Sequence, residues 1–83
     1  TALHYACENG HENVVQYLIE QGANINKGNK GLETPLHIAC KNKYENITIV
    51  QYLIRHGADI NIGNFNGETP LFYACENKHE TIV

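Results

Sequence analysis

The segment Thr1-Ala2-Leu3-His4-Tyr5-Ala6-Cys7 returns as Thr34-Pro35-Leu36-His37-Ile38-Ala39-Cys40, and again as Thr69-Pro70-Leu71-Phe72-Tyr73-Ala74-Cys75. The intervals are 33 and 35 residues. Val14-Val15-Gln16-Tyr17-Leu18-Ile19 matches Ile49-Val50-Gln51-Tyr52-Leu53-Ile54, and Ile82-Val83 opens a third copy. Gly22-Ala23-Asn24-Ile25-Asn26 matches Gly57-Ala58-Asp59-Ile60-Asn61. Three blocks in one order at a common spacing mean that a single supersecondary unit is copied along the chain. Each copy is too short to bury its own apolar side, so the copies must stack. The repeats run over 1–33, 34–68 and 69–83, the last about half a unit, and form one domain.

Local chemistry gives the unit two helices. Thr34 and Thr69 are good N-caps, because their hydroxyls can accept from an orphan backbone N–H. Pro35 and Pro70 follow at the first helical position, where a missing N–H costs nothing. The first helix is expected over 2–9, 35–42 and 70–77. Its buried side is Leu3, Ala6 and Cys7, then Leu36, Ala39 and Cys40, then Leu71, Ala74 and Cys75. The second helix is expected over 12–20 and 47–55, with a third copy starting near Glu80. Val14, Val15, Leu18 and Ile19 share one helical face, and Ile49, Val50, Leu53 and Ile54 repeat it. Gly22 and Gly57 suit the left-handed position that stops such a helix. Polar stretches over 23–33 and 58–68 follow, and Asn66-Gly67 suits a turn at a loop tip.

These blocks resemble the ankyrin repeat, whose pattern runs T-P-L-H-x-A, G-H, V-V-x-x-L-L and G-A-D-x-N. The resemblance covers the whole chain. It implies an all-α solenoid of stacked helix–turn–helix units joined by hairpin-like fingers. The sequence departs from the pattern at specific points. Ala2 replaces the first proline, and Phe72 replaces the third histidine. Leu32 occupies the turn position that Gly67 fills, with Gly31 one residue early. Lys43 and Lys78 stand where Gly10 stands in the first repeat, and two extra residues fall between Tyr44 and Ile49. In a left-handed conformation each lysine costs about 1–2 kcal/mol, so Lys43→Gly is expected to stabilise the chain. Neither end is capped, which suggests part of a longer array, or self-association through the ends.

Composition limits the functional classes. The formal charge is −3 and the six Lys and Arg residues are scattered, which argues against nucleic acid, where a basic face is required. No apolar run approaches the ~18–20 residues of a membrane span, and no signal peptide is visible. Serine is absent, the threonines at 1, 34 and 69 serve as caps, and no phosphate-binding G-x-x-x-x-G-K-[ST] occurs. No oriented nucleophile–base pair is legible. The expectation is therefore no enzyme, no metal and no cofactor in this segment.

His4-x-x-Cys7 and His37-x-x-Cys40 have the look of metal-ligand pairs, but Cys7, Cys40 and Cys75 are equivalent positions, one per repeat. Equivalent helices lie about 8–10 Å apart, beyond the ~7 Å that a disulfide tolerates. Buried free thiols are expected, which fits a reducing, intracellular setting. The resemblance implies that His4 and His37 tie one repeat to the next, with His11 structural too. Asn46-Ile47-Thr48 fits a glycosylation sequon and reads here as a helix start. Asn26 and Asn61 read as side chains bonding loop backbone.

Ankyrin-type stacks bind proteins through finger tips and the exposed face of the first helices. Carried over by position, that surface comprises Asn29, Lys30, Gly31 and Glu33 in the first finger and Asn64, Phe65, Asn66 and Glu68 in the second. Tyr5, Ile38 and Tyr73 align as a ladder, continued by Glu8, Asn9, Lys41, Asn42, Glu76 and Asn77. Phe65 with the ladder is the expected apolar centre of a site for a protein or peptide partner. The alternative is a structural spacer within a larger multidomain protein.

Overall fold

The computed structural model describes residues 1–42 and 46–76, the last two by backbone alone. Among these residues five helices follow in order: α1 (Ala2–Glu8), α2 (Glu12–Glu20), α3 (Pro35–Lys41), α4 (Ile47–Arg55) and α5 (Pro70–Glu76). No strand occurs among the described residues. α1, α3 and α5 form one layer, α3 packing against both neighbours, and α2 and α4 form the second. The helix bounds follow the sequence expectation to within one residue.

Side chains and glycines set those bounds. The Thr1 and Thr34 hydroxyls accept from the backbone N–H of His4 and His37 at 3.3 and 3.4 Å. At α3 the cap is reciprocal, because the Thr34 N–H donates to His37 Nδ1 at 3.0 Å. Asn46 caps α4 by accepting from the Ile49 N–H at 3.2 Å, so the sequon residue starts a helix as expected. α2 begins at His11 with no side-chain cap bond. His11 is exposed, and among the described residues its ring makes no hydrogen bond of the kind expected for it.

Three helices end in the same way. After α2, Gly22 sits at φ +91°, its N–H donates to the Ile19 carbonyl and the Ala23 N–H to that of Leu18. Gly57 at φ +98° repeats this after α4, and Gly10 at φ +70° after α1. These paired bonds satisfy carbonyls that the helix leaves open, at a backbone conformation suited to glycine. The corresponding position after α3 is Lys43, which lies outside the described residues, as do Lys78 and the expected helix near Glu80.

The core lies between the layers. Leu3, Ala6, Cys7 and Val15 meet Leu36, Ala39, Cys40, Ile49, Val50 and Leu53, all buried. Ala6 and Ala39 are small, which suits the close approach of α1 to α3. Leu71 departs from expectation: it is 51% exposed, whereas Leu3 and Leu36 are each 2% exposed. The apolar stripes of α2 and α4 cover those two leucines. The residues that would correspond for Leu71 lie outside the described ones.

Candidate functional site

Two hairpin-like fingers frame one side of the molecule. In the first, the Asn29 N–H donates to the Glu33 carbonyl and the Leu32 N–H to that of Asn29, both at 2.9 Å. Asn29 Oδ1 accepts from the N–H groups of Gly31 and Glu33 at 2.9 and 3.0 Å. The second finger repeats every bond. Asn64 pairs with Glu68, the Gly67 N–H donates to the Asn64 carbonyl, and Asn64 Oδ1 accepts from Asn66 and Glu68. The closing residue must adopt positive φ. Gly67 does so at +76°, and Leu32 does so at +61°, a conformation costing a non-glycine residue about 1–2 kcal/mol. The Phe65 N–H donates to the Gly31 carbonyl at 2.8 Å, joining the two tips.

Histidines anchor these fingers to the helices. Nε2 of His4 lies 2.7 Å from the Glu33 carbonyl, and Nε2 of His37 lies 2.7 Å from that of Glu68. A carbonyl only accepts, so in each ring Nε2 carries the proton and donates, while Nδ1 faces the threonine cap. Each bond ties the first helix of a repeat to the finger that closes the same repeat, so the tie to the next repeat expected of His4 and His37 is not what these bonds make. Asn26 makes a parallel link: its amide donates to the Gly57 carbonyl at 3.2 Å and accepts from the Asp59 N–H at 2.8 Å. It bonds loop backbone as expected, but in the following repeat.

A polar cluster lies where the fingers meet α3 and α5. The Tyr73 hydroxyl donates to Glu33 Oε2 at 2.9 Å, with Glu68 Oε1 at 3.2 Å. Asn64 Nδ2 donates to Tyr73 Oη at 2.8 Å and to Glu68 Oε1 at 3.1 Å. Lys41 Nζ stands 3.5 Å from Glu33 and 5.3 Å from the centre of the Tyr73 ring. The Tyr73 ring also meets His37 edge-on at 6.1 Å. Partial burial of the Glu33 carboxyl works to raise its pKa. Hydrogen bonds from Tyr73 and Asn64 and the charge of Lys41 outweigh it and hold the group below its ordinary value. The Tyr73 phenol moves the other way, raised by desolvation and by donating to the Glu33 and Glu68 carboxylates.

The expected binding residues therefore divide. Phe65 is 78% exposed and Tyr5 69% exposed, and Lys30 and Asn66 are exposed at the two tips. Ile38 is half-buried and packs on the core. Asn42 reaches back from the end of α3 to donate to the Glu8 carbonyl at 3.0 Å. Asn64 is corrected: it is 8% exposed, and its side chain is occupied by its own finger and by the cluster. Asn29 is turned inward too, its oxygen engaged by finger backbone. Tyr73 belongs to α5, but its hydroxyl is engaged in the cluster. The Glu76 side chain and Asn77 lie outside the described residues. The sequence reading missed the cluster, although Asn29 and Asn64 each stand four residues before a Glu-Thr-Pro triplet. That doubled spacing was the available signal.

Cys7 and Cys40 are free and buried. Burial pushes their thiols up to about 12 and about 11, so they pack as small apolar groups rather than acting as nucleophiles. No helix among the described residues is long and apolar enough to cross a membrane.

A family model described as ankyrin repeats (3 copies) matches residues 27–83, and a single ankyrin-repeat model matches residues 1–30. Among curated proteins, the chain is similar to the NAD-capped RNA hydrolase NUDT12 of Macaca fascicularis, Pongo abelii and Homo sapiens. Each is 45% identical over 47 residues, which is 57% of this chain. The match spans only 10% of those relatives, and the hydrolase activity in their name is theirs. With matched models extending over both halves, and with the doubled finger and histidine tie seen in three dimensions, the chain belongs to the ankyrin-repeat family.

Proposed function

We infer that this chain binds a partner protein through its finger tips and the exposed side of α1 and α3, and that it acts as an interaction module rather than a catalyst. The exposure of Phe65 carries the reading. A large aromatic held in solvent on a hydrogen-bonded hairpin forfeits burial that would stabilise the chain by about 1.5–3 kcal/mol. Aromatic anchors of this kind supply much of the binding energy at protein interfaces. Leu32, exposed on the neighbouring tip, adds apolar surface. Tyr5, Lys30, Glu33, Ile38, Lys41, Asn42 and Asn66 extend the surface from the tips to the helices. Asn64 and Tyr73 support it from below.

The net charge of −3 favours a protein over a nucleic acid as the occupant, because phosphate is repelled. The free, buried thiols suit an intracellular setting. The test is affinity capture with the intact chain, identification by mass spectrometry, and titration of the captured protein against variants. Phe65→Ala and Tyr5→Ala should each weaken binding by about tenfold or more while leaving the helical circular dichroism unchanged. Unchanged affinity in both variants would refute the assignment.

A further inference from the structure

Between α1 and α3 lies a cleft of about 270 Å³ lined by Glu8, Ile38, Lys41 and Asn42. Ile38 gives it an apolar surface backed by the core. Glu8 is exposed beside it, and among the described residues its carboxylate has neither an ion pair nor a hydrogen bond. Lys41, which also lines the cleft, already faces Glu33. Farther along, one carboxylate oxygen of Glu68 is engaged by Asn64 and Tyr73, and the other has no partner among the described residues. Among the described residues, Glu8, Glu33 and Glu68 thus set three carboxylates against the ammonium of Lys41. Lys30 makes no ion pair with any of them.

An apolar wall beside an uncompensated carboxylate matches a long cationic side chain, which buries its aliphatic stem and keeps its charge at the water boundary. The geometry points to an extended, basic partner segment, one of whose arginine or lysine side chains lies in this cleft, stem on Ile38 and charge against Glu8. This rests on the protein-binding reading above and names the chemistry of the partner. Acidic segments meet like charge there, which disfavours them. Lys41 leaves room for this arrangement because Glu33, itself fixed by Tyr73 and Asn64, holds its ammonium.

A random peptide library displayed on phage and selected on the intact chain tests the assignment. Enriched peptides should carry Arg or Lys beside Leu, Ile or Phe. A synthetic copy should bind Glu8→Lys about tenfold more weakly than the parent chain and weaken as salt is raised. Circular dichroism checks that this exposed substitution leaves the helices intact. Enrichment of neutral or acidic peptides overturns the assignment. So does a basic peptide that binds Glu8→Lys as well as the parent but loses affinity in Phe65→Ala, and in that case the protein-binding reading stands. Absence of enriched peptides while capture still returns a Phe65-dependent partner overturns the cleft alone. Absence of both overturns both.

Discussion

Leu32 shows what a single residue does in this fold. Both fingers need one position at positive φ to close, and the second supplies Gly67 there while the first supplies Leu32. Leu32→Gly should therefore stabilise the chain by about 1 kcal/mol, the relief of left-handed strain being partly offset by the greater freedom of glycine in the unfolded chain. Urea denaturation followed by circular dichroism measures it, and a destabilised variant would show that the Leu32 side chain contributes more than its backbone costs. Glu33 makes a second prediction. Its folded pKa lies below its unfolded one, so in the window between them the unfolded chain binds more protons. Stability then rises with pH. The contribution is present above the unfolded carboxyl value of about 4.3 and is lost as pH falls through the lower folded value. Glu33→Gln should flatten the acid limb of a plot of melting temperature against pH, and an unaltered limb would count against the cluster.

At the scale of elements, the helices are set by end chemistry more than by propensity. α2 and α4 are both nine residues long and carry the same apolar stripe, but only α4 has a side-chain cap, from Asn46. Asn46→Ala should cost about 1 kcal/mol, visible as a lower urea midpoint. His11→Ala at the uncapped start of α2 is the control and should change little. Much of this level was legible in the sequence. Threonine followed by proline marked a helix start, Gly22 and Gly57 marked helix ends, and the two valine- and isoleucine-rich stripes marked the second helices. The fingers were legible as turns, but their inward-facing asparagines were not. Asn64 looked like a polar loop residue, and a polar loop residue in a sequence reads as solvated. Its burial depends on Tyr73 arriving beside it from the next repeat, which the spacing of Asn64 to Glu68 does not report.

For the molecule as a whole, stability resides in the seams between repeats. α1 against α3, α2 against α4 and α3 against α5 are contacts between neighbouring units, and in such stacks the interface terms carry much of the folding free energy. Leu53, fully buried in the middle of this arrangement, is the sharpest test. Leu53→Ala should cost about 2–5 kcal/mol. All helical signal should then melt together at a lower temperature. Melting in two separate steps would mean that the seams are weaker than the packing shows. Polar ties act on the same seams: Asn26 and Asn42 link the first repeat to the second, and the bond from Tyr73 to Glu33 links the first finger to α5.

By itself the sequence determined the period, the positions of the helices and which faces are apolar, because each depends on side-chain order along a few turns. It also determined that Cys7 and Cys40 are equivalent buried positions, since copies in register occupy equivalent places. Only the tertiary structure decided which residues of the expected surface stay exposed. Phe65 and Tyr5 remain in solvent, while Asn64 and the Tyr73 hydroxyl are drawn into a hydrogen-bonded cluster. That division is set by distances between fingers and helices from different repeats, and a one-dimensional pattern does not contain those distances.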